Sequence, residues 1–131
     1  MTKPSVLVVE HDLIVRQPLA EYLRECGYTV IEAVHTDEAI AVLSTENILI
    51  DVVLADVTTP EKVDGFGLAH WVRSRGLPTK VILAGTVQKA AATAEKLCEH
   101  GPLLSKPYDH ALLHDRIKRE LAARIISKQK S

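Results

Sequence analysis

At 131 residues the chain has the size of one ordinary domain, and its 47% hydrophobic content is enough for a core that folds without staples. Its 16 basic and 17 acidic side chains leave a formal charge of -1, which argues against nucleic acid, a membrane surface or acidic substrates as partners. The apolar run before Glu10 is too short for a signal peptide, no later run reaches membrane-spanning length, and Cys26 and Cys98 lack CxxC spacing, so a cytoplasmic chain with two free thiols is expected.

Short Val/Ile/Leu runs alternate with longer segments of helical period. Val6-Leu7-Val8-Val9 reads as a first buried strand. From Leu13 the period becomes helical: Val15, Leu19 and Leu23 share one face, Arg16, Glu21 and Arg24 are left for solvent, and Gly27 ends the helix. Thr29-Val30-Ile31 forms a second strand, and Thr36-Asp37-Glu38 opens a second helix with acids where the dipole favours them. Val52 to Ala55 gives a third strand that ends at Asp56. A third helix runs from Gly65 to Arg75 and is closed by Gly76 and Pro78.

Val81-Ile82-Leu83 is a fourth strand. Gln88 to His100 is an Ala-rich helix whose Ala90-Ala91-Ala92 run offers either a smooth packing face or a contact surface. Leu103-Leu104 makes a short fifth strand, and Asp109 caps a last helix with Leu113, Ile117, Leu121 and Ile125 at four-residue spacing. The alternation predicts an α/β fold with a parallel sheet covered on both faces. It reads as one domain over residues 1–131, with a core from about 5 to 126 and a polar tail from 127 to 131.

In open parallel sheets, ligands gather beyond the carboxyl ends of the strands. Glu10, His11 and Asp12 follow strand one, Asp56 follows strand three, Gly85 and Thr86 follow strand four, and Lys106-Pro107 follow strand five. Crowded carboxylates facing a lysine suit a hard cation together with a phosphoryl group. In such a setting one carboxylate serves as nucleophile, while fixed positive charge neutralises the transferring oxygens.

These residues resemble the response-regulator receiver domains of two-component signalling, from about Val6 to about Leu121. The likeness rests on Val6-Leu7-Val8-Val9 with its acidic turn, Asp56-Val57-Thr58-Thr59-Pro60, Asp64-Gly65-Phe66 and Ser105-Lys106-Pro107-Tyr108. The resemblance implies a flavodoxin-like, doubly wound sheet of five strands in the order 2-1-3-4-5, with five helices. It implies that Asp56 is the phosphoacceptor and that Lys106 contacts the phosphoryl group. Pro107 would follow a cis peptide, and Mg²⁺ would be held by Glu10, Asp56 and the Thr58 carbonyl. The implied partners are a histidine kinase or phosphotransfer protein, a downstream protein, and a second copy meeting the face of helix four, strand five and helix five. No enzyme activity is implied beyond the domain's own phosphoryl transfer.

Three positions depart from the family. The second acid, which ligates Mg²⁺ directly, is His11 here, and neutral imidazole is a poor ligand for that cation. Asp12 stands one residue later as a substitute. The hydroxyl expected after strand four aligns with Gly85, and a shift of one residue brings Thr86 to its place. The strand-five aromatic is Leu103. These departures keep a rival reading open: a pseudo-receiver that binds partners without phosphate. A zinc site at His110 and His114 lacks a third ligand, and a flavin carrier lacks the Ser/Thr/Gly-rich first turn. With no effector segment after the last helix, output is expected through protein contacts.

Overall fold

The first strand sets the architecture, because every residue from Val6 to Val9 is apolar and successive side chains point to opposite faces of a sheet. In the computed structural model, which describes residues 4–57, 64–99 and 119, β1 (Ser5–Val9) sends Val6 and Val8 into one apolar cluster and Leu7 and Val9 into another. A strand buried on both faces must sit centrally. β1 pairs in parallel with β2 (Thr29–Ala33) on one side and with β3 (Val52–Asp56) on the other, and β3 pairs with β4 (Lys80–Ala84). The order β2-β1-β3-β4 agrees with the expected sheet over these four strands. The expected fifth strand and fifth helix lie outside the described residues.

α1 (Leu13–Glu25) and α4 (Val87–Glu99) cover the face of Val6, Val8 and Leu54; α2 (Thr36–Ser44) and α3 (Gly65–Ser74) cover that of Leu7, Val9 and Val53. Val15, Leu19 and Leu23 are buried as their spacing predicts. α1 and α3 end alike. Gly27 (φ 99) and Gly76 (φ 64) take the left-handed conformation, and the next amides, of Tyr28 and Leu77, donate back to the carbonyls of Leu23 and Val72. α1 also runs through Pro18, which has no amide to donate to the Ile14 carbonyl; its ring is fully buried in exchange.

The Ala-rich helix turns its smooth side inward. Ala90, Ala91 and Ala94 are buried in the cluster with α1, while Gln88, Lys89, Ala92, Lys96 and Glu99 are exposed. Small side chains let the two helices approach closely, and the cysteines meet there. Cys26, at the C-cap of α1, and Cys98, near the end of α4, form a disulfide with Cα atoms 5.3 Å apart. This corrects the expectation of two free thiols. Spacing rules miss the pair because 72 residues separate it in sequence and only helix packing brings it together.

Candidate functional site

Parallel strands deliver their carboxyl ends to one rim of the sheet, and the register decides which residues meet there. Val9 of β1 pairs with Ala55 of β3, and Asp56 pairs with Ala84 of β4, so Glu10, Asp56 and Gly85 emerge side by side. One ligand atom each from Glu10, His11 and Asp56 lies within 4.8 Å of the others. A cavity of about 160 Å³ opens at this rim, lined by Glu10, Asp56, Gly85 and Thr86 and, from the core, by Val15 and Leu19. Its size admits several waters and its polar groups give them partners.

The acidic turn is tightly held. The Glu10 amide donates to the Ala33 carbonyl at 3.0 Å, which extends the β1–β2 ladder by one bond. Glu10 Oε1 accepts from the Asp12 amide at 3.3 Å, and the Glu10 carbonyl accepts from Arg16 Nη1 at 2.9 Å. Arg16 also pairs with Glu32 through Nε at 3.2 Å, and Arg24 reaches the other oxygen of Glu32 at 3.2 Å. Sequence periodicity assigned Arg16 to solvent. Its side chain is in fact only 11% exposed and bends back over the end of β1.

Asp12 caps α1, its Oδ1 accepting from the Ile14 amide at 3.0 Å in extended backbone geometry. His11 is half exposed, at 47%, with Nδ1 3.7 Å from Glu10 Oε1. Glu10 itself is mostly buried. Burial first, and the Asp56 carboxylate second, push its carboxyl up to about 7, against the opposing pull of the Asp12 amide and His11. Two carboxylates this close resist joint ionisation, and a divalent cation relieves that cost.

Asp56 is positioned from a third direction. A Cβ on Gly65, the first residue of α3, would run into the Asp56 carbonyl oxygen and come within 3.1 Å of Leu83 Cδ2. The helix can therefore press on the strand end only because residue 65 is glycine. Asp64 starts that helix, with Oδ1 accepting from the Gly67 amide at 2.9 Å. The sequence starts a helix at Gly65; the need for glycine there appears only from the packing. Phe66 beside it is 62% exposed, and Trp71 further along carries Arg75 over its ring at 5.2 Å.

At the end of β4, Gly85 offers no side chain, and a Cβ there would make ordinary contact with Val57 Cγ2 at 3.5 Å. Thr86 begins the turn into α4, its Oγ1 accepting from the Lys89 amide at 3.1 Å. Thr58, Leu103, Lys106 and Pro107, together with His110 and His114, lie outside the described residues. Glu10 and Asp56 suit a divalent cation such as the Mg²⁺ that the sequence resemblance implies, whereas the His11 nitrogen does not suit Mg²⁺. No described helix is long and apolar enough to cross a membrane.

Comparison with known proteins agrees with this fold. The family described as the response regulator receiver domain matches residues 6–118. The sensor histidine kinase RcsC of Escherichia coli K12 is 36% identical over 105 residues, which cover 78% of this chain and 10% of that one. A cyclic di-GMP phosphodiesterase of Thermotoga maritima is 30% identical over 123 residues, covering 92% of this chain and 32% of that protein. The chain thus spans a third or less of the length of these two relatives. Among solved structures, the Vibrio cholerae chemotaxis protein CheY4 superposes with a TM-score of 0.57 at 24% identity, covering 90% of this chain and 98% of that one.

Proposed function

The chain belongs to the response regulator receiver domains of two-component signalling, and from that premise we propose that Asp56 accepts a phosphoryl group from a histidine kinase or phosphotransfer protein. The observation that carries the reading is the rim geometry: Asp56 ends β3 within 4.8 Å of the Glu10 and His11 donor atoms, beside a cavity open to solvent. A carboxylate oxygen of Asp56 attacks the phosphorus, the P–N bond to the donor imidazole breaks, and that imidazole leaves as the neutral ring once protonated. A divalent cation held by Glu10 and Asp56, with the Thr58 carbonyl, supplies charge neutralisation when bound. Lys106 is assigned to the equatorial phosphoryl oxygens on its resemblance to the family's lysine, and Pro107 to aiming that lysine inward. Thr86 is the nearest hydroxyl on the β4 side to follow the phosphate.

The domain acts as acceptor and signal, and no turnover of a separate substrate is required of it. The phosphodiesterase activity named for the Thermotoga relative is that protein's. Because RcsC is named a sensor histidine kinase, a kinase of that class is the upstream partner proposed, with output through protein contacts and self-association at the α4 side. A kinase-linked role places the domain in the cytoplasm, where the burial of both Cys26 and Cys98 would slow exchange of their disulfide with soluble thiols.

Incubation with acetyl phosphate or phosphoramidate and a divalent cation, followed by intact-mass measurement, tests the reading. The chain should gain one phosphoryl group, about 80 Da, and Asp56→Asn should lose the gain while keeping the fold. Full labelling of Asp56→Asn would place the acceptor elsewhere. No labelling of the wild-type chain under any cation would favour the pseudo-receiver.

A further inference from the structure

The donor set at the rim is mixed, and its composition decides which cation it takes. Glu10 and Asp56 contribute carboxylate oxygen, and His11 contributes ring nitrogen, all within 4.8 Å. The acid one residue on is held elsewhere: Asp12 Oδ1 caps α1 through the Ile14 amide, and Asp12 is not one of the three clustered donors. Turning it toward the rim would uncap the helix whose Arg16 holds the Glu10 carbonyl.

We propose that this pocket selects a divalent transition cation, in the range from Mn²⁺ to Zn²⁺, over Mg²⁺. The inference rests on the reading of the cluster as the domain's cation pocket. Mg²⁺ demands near-octahedral oxygen ligation at short distance and gives up water reluctantly, so an imidazole offers it little. Imidazole suits iron, nickel, copper and zinc, while carboxylates suit manganese as well. Two carboxylates with one imidazole form a donor set that the transition ions accept in full and Mg²⁺ accepts only in part. His11 is exposed enough to rotate either nitrogen toward the ion, and its Nδ1 lies 3.7 Å from Glu10 Oε1, too far for a tight hydrogen bond.

The consequence for signalling is that transition-metal supply, more than the abundant Mg²⁺, would set how fully the pocket is loaded. Neutral imidazole also leaves the loaded pocket one negative charge short of an all-carboxylate site. An incoming phosphoryl group therefore meets less repulsion there.

The test uses the full chain, stripped of metal by chelation, titrated with Mn²⁺, Zn²⁺ and Mg²⁺ by calorimetry. Mn²⁺ and Zn²⁺ should bind at least about tenfold more tightly than Mg²⁺. Because transition ions outbind Mg²⁺ at many sites, the deciding quantity is the change on substitution. His11→Asp should tighten Mg²⁺ and shrink the preference by about tenfold, and His11→Gln should weaken the transition ions without helping Mg²⁺. Electron spin echo spectra of bound Mn²⁺ should show coupling to an imidazole nitrogen that His11→Asp removes. An unchanged preference in His11→Asp, or persistent nitrogen coupling, would overturn the inference. Acetyl phosphate labelling of the same proteins reports separately on Asp56. Label without a His11-dependent preference leaves the phosphoacceptor standing alone, and a His11-dependent preference without label leaves the metal pocket standing alone.

Discussion

The turns after β1 and β4 leave the same edge of one parallel sheet, yet they are built in opposite ways. After β1, the Glu10 backbone is held by Ala33 and Arg16, and its side chain by the Asp12 amide, while Asp12 caps the next helix. After β4, Gly85 has no side chain to hold, and the Thr86 hydroxyl accepts from the Lys89 amide at the start of α4. The first turn concentrates charge and restrains it; the second leaves room. Handling a phosphoryl group needs the restrained turn, since positioning and electrostatics do most of that work. Reporting such a group to the rest of the molecule would need a side chain at the second turn that responds, and Gly85 offers none.

Four experiments would break or sharpen the contrast. The largest effect is expected at the link between the helices that follow the two turns. Closing a loop of 72 residues with the Cys26–Cys98 bond should stabilise the fold by about 4 kcal/mol through loss of unfolded-state entropy. Urea midpoints with and without reductant measure this, with Cys26→Ala/Cys98→Ala as the reductant-insensitive control. Identical midpoints in the wild type would mean that the bond does not form in solution.

Next comes pH. The Glu10 carboxyl is raised from 4.5 to about 7, so the folded state favours its neutral form. That contribution is complete below pH 4.5 and is lost as pH rises through 7, amounting to at most about 3 kcal/mol. Glu10→Gln should flatten this part of the profile and be the more stable protein at pH 8 without divalent cation. Parallel profiles for the two proteins would show that the restrained turn carries no such cost.

Gly65→Ala should come third, at about 2 kcal/mol, because the new Cβ must displace the Asp56 carbonyl or the start of α3. Labelling by acetyl phosphate should fall with it. A stable variant that labels normally would show that α3 can retreat without moving Asp56. Smallest in stability is Gly85→Ser, within about 0.5 kcal/mol, since a Cβ there meets only ordinary contact. Its informative readout is hydrogen exchange over residues 86–99 with and without beryllofluoride. The wild type should change little, and the added hydroxyl should enlarge the response. A large wild-type response would show that the open turn reports phosphate without help.

Much of this was legible in the sequence, for reasons that differ by residue. Strands buried on both faces read as unbroken Val/Ile/Leu runs, and Gly27 and Gly76 announced the helix ends that their positive φ values confirm. Glu10 and Asp56 were legible because strand ends are easy to locate, and a parallel sheet brings them to one edge. What stayed hidden depends on side chains crossing between elements. Arg16 lies on the polar side of its helix by period, and only its length lets it return to Glu10 and Glu32. Gly65 looks like a helix start until the Asp56 carbonyl is placed against it. Pro18 leaves no mark in the periodicity, and the helix runs through it with the ring in the core. The cysteines are ordinary buried residues in sequence, and α1 packing on α4 is what makes them partners.

That pairing also changes how the chain can come apart. The covalent ring from Cys26 to Cys98 contains β2, α2, β3, α3 and β4, and so carries Asp56 inside it. The most exposed large apolar residue among those described, Leu49 at 83% exposure, sits on the ring between α2 and β3. A protease that cuts there would open the ring without releasing either piece, and the nicked chain would migrate as one body until a reductant parted it. Under oxidising conditions, fragment counting would therefore miss the damage, and β3, severed from its amino-terminal neighbour, would stay tethered beside it.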